Sequence, residues 1–357
     1  MKRIVVKVGS NVITRPDGTL DVTRMSALVD QIAWLRSEGW QVVLISSGAV
    51  AAGRNEVTPS RKLDTVSQRQ LYSAVGQAKL INRYYQLFRD HGLTCGQILT
   101  TKEGFGSRIH YLNQKHCMEV MIGQGVIPVI NENDTVSVTE LMFTDNDELS
   151  GLVATMMDAS SLVILSNVDG IYDGDPSCSG SKVIREVNPA SDDLSGVVVA
   201  GKSSFGRGGM LTKCRIALRV ASEGVAVIIA NGKRENILID LFSRPATVCT
   251  RIIAAERVNG VKKWIAHSHD FVKGSLIVNS GAARSLLDPS SATSLLPVGI
   301  TEVTGAFEKG DLVRIADEQG ADIGLGCCEY TSDDLRKLVG VKDCRPAIHY
   351  DYLYIEN

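Results

Sequence analysis

Five short runs of β-branched and aliphatic residues alternate with amphipathic stretches through the first 230 residues of this chain. The runs occupy residues 4–8, 41–46, 125–130, 162–165 and 225–230. Between the first two runs, Asp21 or Thr23 can cap a helix whose apolar residues recur at helical spacing until Gly39 ends it. A strand, a helix and a second strand in this order form a right-handed βαβ unit. The pattern therefore predicts an α/β fold with a mainly parallel sheet.

The character of the sequence changes after about residue 258. Short strand-like runs at 274–278, 299–303 and 311–315 are separated by glycine turns, and this pattern predicts a small, separate β-rich domain. The length of 357 residues is sufficient for two domains. We expect the first domain to span residues 1–258 and the second to span residues 271–350.

Composition and charge restrict the class of protein. The formal net charge of −2 gives no overall attraction to nucleic acid or to membranes. No apolar run has the length of a membrane span, and Met1 leads into a strand without the core of a signal peptide, so we expect a cytoplasmic protein. The eight cysteines form no C-x-x-C pair and the histidines no H-x-x-x-H pair, so we expect reduced thiols and assign no metal-binding side chain.

Two lysines are expected at the ligand-binding edge of the sheet. Lys7 ends the first strand and is followed by Gly9, and ligands of α/β proteins bind outside the carboxyl ends of the strands. Much later in the chain, Gly208 and Gly209 precede a predicted helix that carries Lys213. A helix amino terminus attracts anions. Either lysine alone is explained as an exposed charge, but two lysines around one anion indicate phosphate chemistry.

Polar segments follow three other predicted strands. Residues 46–53, Ser-Ser-Gly-Ala-Val-Ala-Ala-Gly, combine small residues with hydroxyl groups and can admit a carboxylate or a phosphate. Residues 131–134, Asn-Glu-Asn-Asp, end another strand, and residues 145–147, Asp-Asn-Asp, precede a predicted helix. Carboxylates and amides of this kind can hold an ammonium group, a metal ion or a lysine. The turn at 166–172 has an apolar wall suited to the base and ribose of a nucleotide.

The acidic segment 145–147 is flanked by two predicted elements. Residues 136–143 alternate apolar and polar side chains, which is typical of a short hairpin and would place the acidic segment at the rim of the sheet. Residues 148–157 have the pattern of a helix. In this arrangement Asp145, Asn146 and Asp147 precede the helix and face the ligand edge.

Common nucleotide-binding motifs are absent, but five segments resemble a known family. No G-x-x-x-x-G-K-[ST] segment and no strand-coupled G-x-G-x-x-G near the amino terminus are present, which argues against a P-loop and against a dinucleotide dehydrogenase. The segments 7–9, 47–49, 131–134, 145–147 and 208–213, in this order, resemble the amino acid kinase family. The resemblance covers nearly the whole chain, because residues 294–300 and 303–305 resemble parts of a PUA domain.

The resemblance implies a fold and an activity. The implied fold is a three-layer αβα sandwich with a mainly parallel sheet, followed by a small PUA-like domain. The implied reaction is ATP-dependent phosphorylation of the γ-carboxylate of L-glutamate to γ-glutamyl 5-phosphate, the first step of proline biosynthesis. ATP and Mg²⁺ are the implied cofactors, proline the expected feedback inhibitor, and a dimer or tetramer the expected assembly.

Roles for individual residues follow from the same resemblance, motif by motif. L-Glutamate is expected to be held by Ser47, Asn131, Asp134, Asp145 and Asn146. ATP is expected to be held by Lys7, Gly9, Ser166, Asn167, Arg207, Gly208, Gly209, Met210, Leu211, Thr212 and Lys213. The expected catalytic set consists of Lys7 and Lys213, which stabilise charge on the transferring phosphoryl group, and Asp147, which orients both ammonium groups. Mg²⁺ is expected to bridge the nucleotide phosphates.

Two departures from the family pattern lie on the nucleotide side. Asn167 stands where many relatives have Asp, and Arg207 replaces a frequent Thr, so the nucleotide geometry follows less directly than the reaction type.

Two alternative functions stay open. One is an enzyme of the same fold with another acceptor, such as aspartate, N-acetylglutamate, carbamate or a nucleoside monophosphate. The other is a regulator that binds RNA through the PUA-like domain, which ten basic against fourteen acidic residues in 261–357 disfavour.

Overall fold

The computed structural model describes residues 2–106, 108–137, 146–176, 178, 180–189, 210–255, 265, 271–288, 293–342 and 344–355. The chain forms two compact units, residues 1–257 and 258–357. Within the described residues, no helix is both long and apolar enough to cross a membrane.

The first unit is built on an eight-stranded sheet in the order β3-β4-β2-β1-β5-β7-β8-β6. Its strands are Arg3–Val8 (β1), Gln41–Ser46 (β2), Cys95–Thr100 (β3), Ile127–Glu132 (β4), Ser161–Ser166 (β5), Glu186–Val187 (β6), Ala226–Asn231 (β7) and Thr250–Ile252 (β8). In this order, the first six strands, β3, β4, β2, β1, β5 and β7, are parallel to one another. The direction reverses at β8, which pairs antiparallel with β7. The mainly parallel sheet predicted from the sequence is therefore confirmed.

Helices connect these strands. In the described part of the first unit they are Ser10–Ile13 (α1), Val22–Ser37 (α2), Ala49–Arg54 (α3), Thr65–Asp90 (α4), Lys102–Gly106 (α5), Arg108–Gly123 (α6), Asn146–Met156 (α7), Met210–Ser222 (α8) and Ile237–Ser243 (α9). Of the two residues predicted to cap α2, Asp21 is the N-cap and accepts a hydrogen bond from the Arg24 N–H at 3.1 Å, whereas Thr23 lies inside the helix. Gly39 follows with a φ of 80°, which glycine adopts readily.

Alternating side chains of β1 separate the two faces of the sheet. Ile4, Val6 and Val8 are buried in one apolar core with residues of α2, α4 and α9. Successive side chains of a strand point to opposite faces, so Lys7 lies on the other face, where α7 and α8 pack together. Helices thus cover both faces of the sheet. The position of Lys7 within a buried strand directs its ammonium group towards these two helices.

A close contact between α3 and α4 fixes the helices next to the ligand edge. A Cβ atom added to Gly53 would lie 1.8 Å from the carbonyl oxygen of Tyr72, and one added to Gly76 would lie 1.8 Å from that of Ala49. Neither distance is possible for a real side chain. Glycine at both positions therefore lets the two helix backbones approach closely.

The second unit contains a five-stranded sheet in the order β10-β9-β11-β12-β13. Its described strands and α-helices are Gly274–Val278 (β9), Ser280–Leu287 (α10), Ile300–Gly305 (β10), Leu312–Asp317 (β11), Asp322–Cys327 (β12), Ser332–Leu338 (α11) and Leu353–Ile355 (β13). Leu276, Val313 and Ile315 are fully buried in a core of its own. The β-rich character predicted for this part of the chain is confirmed.

Several sequence-based boundaries require correction. The helix predicted at 148–157 begins two residues earlier, so Asn146 and Asp147 lie in its first turn and do not precede it. Acidic and polar side chains are favoured in a first turn by the helix dipole. Residues 136 and 137 form a turn closed by hydrogen bonds to the Asn133 carbonyl, and the rest of the predicted hairpin at 136–143 lies outside the described residues. The strands β3, β6, β8, β12 and β13 were not predicted.

Candidate active site

Four adjacent parallel strands bring polar residues to one edge of the sheet. Lys7 lies near the end of β1, Ser47 follows β2, Asn131 lies at the end of β4 and Ser166 ends β5. The strands are neighbours in the order β4-β2-β1-β5, and the carboxyl ends of parallel strands lie at the same edge. The structure therefore brings together residues that are as much as 159 positions apart in the sequence.

The first group at this edge is a buried set of two lysines and one carboxylate. Lys7 Nζ lies 2.6 Å from Asp147 Oδ1, and Lys213 Nζ lies 2.8 Å from Asp147 Oδ2. Asp147 is completely buried, and the side chains of Lys7 and Lys213 are only 7% and 13% exposed. Because each carboxylate oxygen binds a different ammonium group, Asp147 fixes the positions of both lysines relative to each other.

The electrostatics of this set favour a bound anion. Burial by itself raises the pKa of Asp147, but the positive charges of Lys7 and Lys213 outweigh burial and hold the pKa below its ordinary value of 3.8. Asp147 is therefore ionised near neutral pH, and the three side chains carry a net charge of +1. A preorganised positive charge with little access to water is suited to stabilising phosphoryl oxygens.

Asn146 connects the second group of residues. Its Nδ2 donates to Ser47 Oγ and to Asn131 Oδ1, each at 2.8 Å. Asn131 Nδ2 in turn donates to Gln77 Oε1 at 3.0 Å. Three of the residues expected to bind the acceptor are thus joined by direct hydrogen bonds. Asp145, which was expected in the same group, lies outside the described residues.

The turn after β2 is fixed by its backbone. The Ser47 N–H donates to the Val8 carbonyl at 3.1 Å, and Gly48 has a φ of 102°, in the left-handed region that favours glycine. Behind this turn, Ser46 Oγ lies 2.8 Å from the hydroxyl of Tyr84, and burial raises the pKa of Tyr84 to about 12. These contacts hold the Ser47 hydroxyl next to Asn146.

Asp134 has a partner that sequence reasoning missed. Arg69 Nε donates to Asp134 Oδ1 at 2.6 Å, and Ser73 Oγ donates to Asp134 Oδ2 at 3.0 Å. Arg69 Nη2 also donates to Glu132 Oε2 at 3.1 Å. Both carboxylates are buried. Arg69, Ser73 and Gln77 are spaced four residues apart on α4, a spacing that places them on one helix face and is the only sequence signal for their role.

The nucleotide side of the site is partly described. Ser166 Oγ donates to Asn167 Oδ1 at 3.4 Å, a weak contact within the turn after β5. Asp169 accepts two hydrogen bonds from Arg234, from Nε and Nη2, each at 2.7 Å, and one from Asn231 Nδ2 at 3.0 Å. These hydrogen bonds lower the pKa of Asp169, and hydrogen bonding to Arg234 has the largest effect. Arg234 and Asn231 had not been predicted as neighbours of this turn.

Four of the remaining predicted nucleotide residues lie in α8. Met210, Leu211, Thr212 and Lys213 form its first turn, and the Leu211 side chain is well exposed. Arg207, Gly208 and Gly209 lie outside the described residues. Gly9 uses its N–H for the Leu165 carbonyl at 3.2 Å, so that N–H does not point to a ligand.

The residues present are compatible with a nucleotide and its metal ion. Among the described residues, no group of three His, Cys, Asp or Glu side chains is arranged to hold a metal ion. Mg²⁺ in phosphate-transferring enzymes is bound largely by substrate phosphates and water, with few protein ligands. The lysine pair with its single shared carboxylate fits a polyphosphate of this kind.

Comparisons with known proteins identify the family of this chain. Residues 2–231 match the model of the amino acid kinase family, and residues 274–347 match the model of the PUA domain. A glutamate 5-kinase from Bacteroides thetaiotaomicron is 62% identical over 356 residues, covering 99% of this chain and 98% of the relative. A glutamate 5-kinase from Chlorobaculum tepidum is 46% identical over 354 residues, covering 99% of this chain and 97% of the relative.

A solved structure supports the fold. Carbamate kinase from Giardia lamblia bound to AMP-PNP superimposes with a TM-score of 0.52 at 18% sequence identity, over 71% of this chain and 99% of that protein. At this level of identity the likeness concerns the fold alone. Together with the family match over residues 2–231 and the full-length relatives, it leads to one conclusion: this chain belongs to the amino acid kinase family and has a PUA domain after its kinase domain.

Proposed function

We propose that this protein transfers the γ-phosphoryl group of ATP to the γ-carboxylate of L-glutamate, giving γ-glutamyl 5-phosphate for proline biosynthesis. The observation that carries the proposal is the buried set of Lys7, Asp147 and Lys213 at the ligand edge of a kinase-family sheet. The choice of L-glutamate as the acceptor is supported by the full-length relatives, which are named glutamate 5-kinase.

The chemistry requires positioning and neutralisation of charge. The γ-carboxylate is ionised near neutral pH, so its oxygen can attack the γ-phosphorus without a general base. The bond between that phosphorus and the oxygen bridging it to the β-phosphate breaks, and ADP leaves. Lys7 and Lys213 stabilise the negative charge on the transferring group and on ADP, while Asp147 holds both ammonium groups in position.

The acceptor side provides polar contacts of complementary charge. We assign Ser47, Asn131 and Asn146 to hydrogen bonds with L-glutamate and Asp134 to its α-ammonium group, with Asp145 as a further contact. The hydrogen bonds of Asn146 to Ser47 and Asn131 support this grouping. A carboxylate at short range stabilises an ammonium group, whereas a phosphate-bearing acceptor would require basic residues there.

The nucleotide side completes the proposal. ATP is assigned to Lys7, Ser166, Asn167 and the segment 207–213, and Gly9 is assigned a close approach of its Cα, because its N–H already donates to the Leu165 carbonyl. Mg²⁺, when bound with the nucleotide, supplies charge neutralisation on the phosphate oxygens. Proline as an inhibitor, a homo-oligomeric assembly and a cytoplasmic location are further parts of the proposal that rest on the family relationship.

The test is an acceptor assay with trapping. ADP release from MgATP is measured with L-glutamate, aspartate, N-acetylglutamate or UMP, with hydroxylamine present to convert an acyl phosphate to a hydroxamate. We expect ADP and hydroxamate to form together only with L-glutamate. Activity with another acceptor alone would replace the substrate, and no activity with any acceptor would overturn the proposed reaction.

A further inference from the structure

Four side chains at the ligand edge form one continuous series of hydrogen bonds, the Gln77–Ser47 series. Asn131 Nδ2 donates to Gln77 Oε1 at 3.0 Å, and Asn131 Oδ1 accepts from Asn146 Nδ2 at 2.8 Å. Asn146 Nδ2 donates its other N–H to Ser47 Oγ, also at 2.8 Å. Gln77 and Asn131 are only 9% and 5% exposed, so water has little access to the first bond of the series.

The atoms that meet in this series determine which groups donate. An amide has two N–H donors on its nitrogen and an acceptor at its oxygen, so turning one amide over replaces a donor by an acceptor. Gln77 presents its oxygen to Asn131, which therefore turns its nitrogen towards Gln77 and its oxygen towards Asn146. Asn146 in turn presents its nitrogen to Ser47. The acceptor oxygen of Gln77 thus sets the direction of every later hydrogen bond in the series.

This direction has its effect at Ser47, where the series ends. A serine hydroxyl has one proton to donate and two lone pairs that accept. Ser47 Oγ accepts from Asn146 Nδ2, and an amide nitrogen accepts nothing in return, so the hydroxyl proton of Ser47 is not used within the series. An ionised carboxylate only accepts hydrogen bonds, which makes it the matched partner for this proton.

We infer that Gln77 is a positioning residue for the acceptor, because it sets the direction in which Ser47 donates its hydroxyl proton to a carboxylate of L-glutamate. Gln77 acts through Asn131 and Asn146 and does not contact the substrate. The inference rests on the proposed function, which assigns Ser47, Asn131 and Asn146 to L-glutamate. It adds to that assignment a residue of α4 and a direction of donation.

The packing of α4 fixes the position of Gln77. The preceding residue, Gly76, lies so close to α3 that an added Cβ would be 1.8 Å from a carbonyl oxygen of that helix. Tyr84 lies two helical turns after Gln77, and its buried hydroxyl is 2.8 Å from Ser46 Oγ, beside Ser47. The helix therefore contacts the series at its first residue and lies beside its last, which holds the Gln77 amide in place relative to Ser47.

The first test removes the acceptor oxygen of Gln77. Gln77→Met leaves a side chain of similar size, so Asn131 becomes free to turn over. Hydrogen bonds to charged groups are stronger than those between neutral groups, and we expect KM for L-glutamate to rise about tenfold when Ser47 no longer donates in a fixed direction. Because this contact is made equally in the ground state and the transition state, kcat should stay within about twofold, and so should KM for MgATP.

Two charged variants separate the direction of hydrogen bonding from charge. Gln77→Glu keeps an acceptor for Asn131 and cannot donate, whereas Gln77→Lys offers only donors and forces Asn131 to turn over. The inference therefore predicts a lower KM for L-glutamate in Gln77→Glu than in Gln77→Lys. Charge alone predicts the opposite order, because L-glutamate carries a net negative charge near neutral pH.

A double-mutant cycle tests whether Gln77 acts through Ser47. Ser47→Ala should itself raise KM for L-glutamate, and without the hydroxyl, adding Gln77→Met should change this KM by less than about twofold. Gln86→Met is the matched control, because Gln86 Oε1 also accepts a hydrogen bond on α4, from the exposed Arg83 at 3.2 Å. It should leave both KM values unchanged.

Three results would overturn the inference. They are an unchanged KM for L-glutamate in Gln77→Met or Ser47→Ala, a lower KM in Gln77→Lys than in Gln77→Glu, and full additivity of Gln77→Met with Ser47→Ala. KM does not depend on the fraction of enzyme that is folded, so reduced stability of a variant does not imitate these results. Failure of the unmodified enzyme to use L-glutamate would instead overturn the proposed function.

Discussion

Replacing Lys213 by alanine tests the central electrostatic argument. The substitution removes one of the two ammonium groups on Asp147 and leaves the contact with Lys7, so the net charge of the set falls from +1 to zero. An ammonium about 4 Å from a phosphoryl oxygen contributes about 4 kcal/mol at an effective dielectric constant of about 20. The neighbouring carboxylate of Asp147 reduces this value. A loss of about 3 kcal/mol of transition-state stabilisation, about a hundredfold in kcat, is therefore expected.

The assay is kcat at saturating MgATP and L-glutamate, followed by ADP release, with thermal unfolding of each variant as the measure of folding. The control is Arg219→Ala, which removes a cation from the same helix where it pairs with Glu223 at 3.5 Å and is 42% exposed. We expect Arg219→Ala to have an unchanged kcat. A folded Lys213→Ala enzyme with nearly normal kcat would refute the role assigned to this lysine.

Three further predictions follow from other contacts. The pKa of Asp147 is lowered in the folded protein, so its ionised form stabilises the fold above pH 3.8, and this contribution is lost as the pH falls through the lower pKa of the folded state. The free energy of urea unfolding of Asp147→Asn should therefore depend less on acid pH than that of the unmodified protein, and parallel plots of this free energy against pH would contradict the argument. Gly76→Ala places a Cβ 1.8 Å from the Ala49 carbonyl oxygen and should destabilise the protein by about 2 kcal/mol or more in denaturant unfolding, so equal stability would disprove the close contact. Arg234→Met removes two hydrogen bonds to Asp169 and should raise KM for ATP while KM for L-glutamate is unchanged; equal increases in both would argue against a role on the nucleotide side.

The parts of the sheet that are buried on both faces could be predicted from sequence. β1, β2 and β5 are runs of Val, Ile and Leu because helices cover both sides, and such runs are distinct in the sequence. β3 was missed because it lies at the edge, where Gln97 and Leu99 are exposed and the pattern is mixed. The reversal at β8 depends on pairing with β7, which no local pattern records.

Part of the site could be located from the positions at which these strands end. Lys7, Ser47 and Asn131 were recognisable because each lies at or beyond the end of a strand, and parallel strands end at one edge. Arg69 was not recognisable, because on the 26-residue helix α4 it looks like any solvent-facing arginine. Its role depends on how the helix is rotated against the end of β4, and packing of Gly76 against α3 determines that rotation.

The start of α7 joins two groups of residues at the ligand edge. Asp147 pairs each of its carboxylate oxygens with a different lysine, at 2.6 and 2.8 Å, so the buried charges stay paired while the three side chains keep a net charge of +1. The preceding residue, Asn146, donates hydrogen bonds to Ser47 and Asn131, and these three side chains carry no charge. Asn146 and Asp147 are adjacent in the first turn of one helix. The position of the lysine pair relative to the polar group therefore depends on the start of this helix.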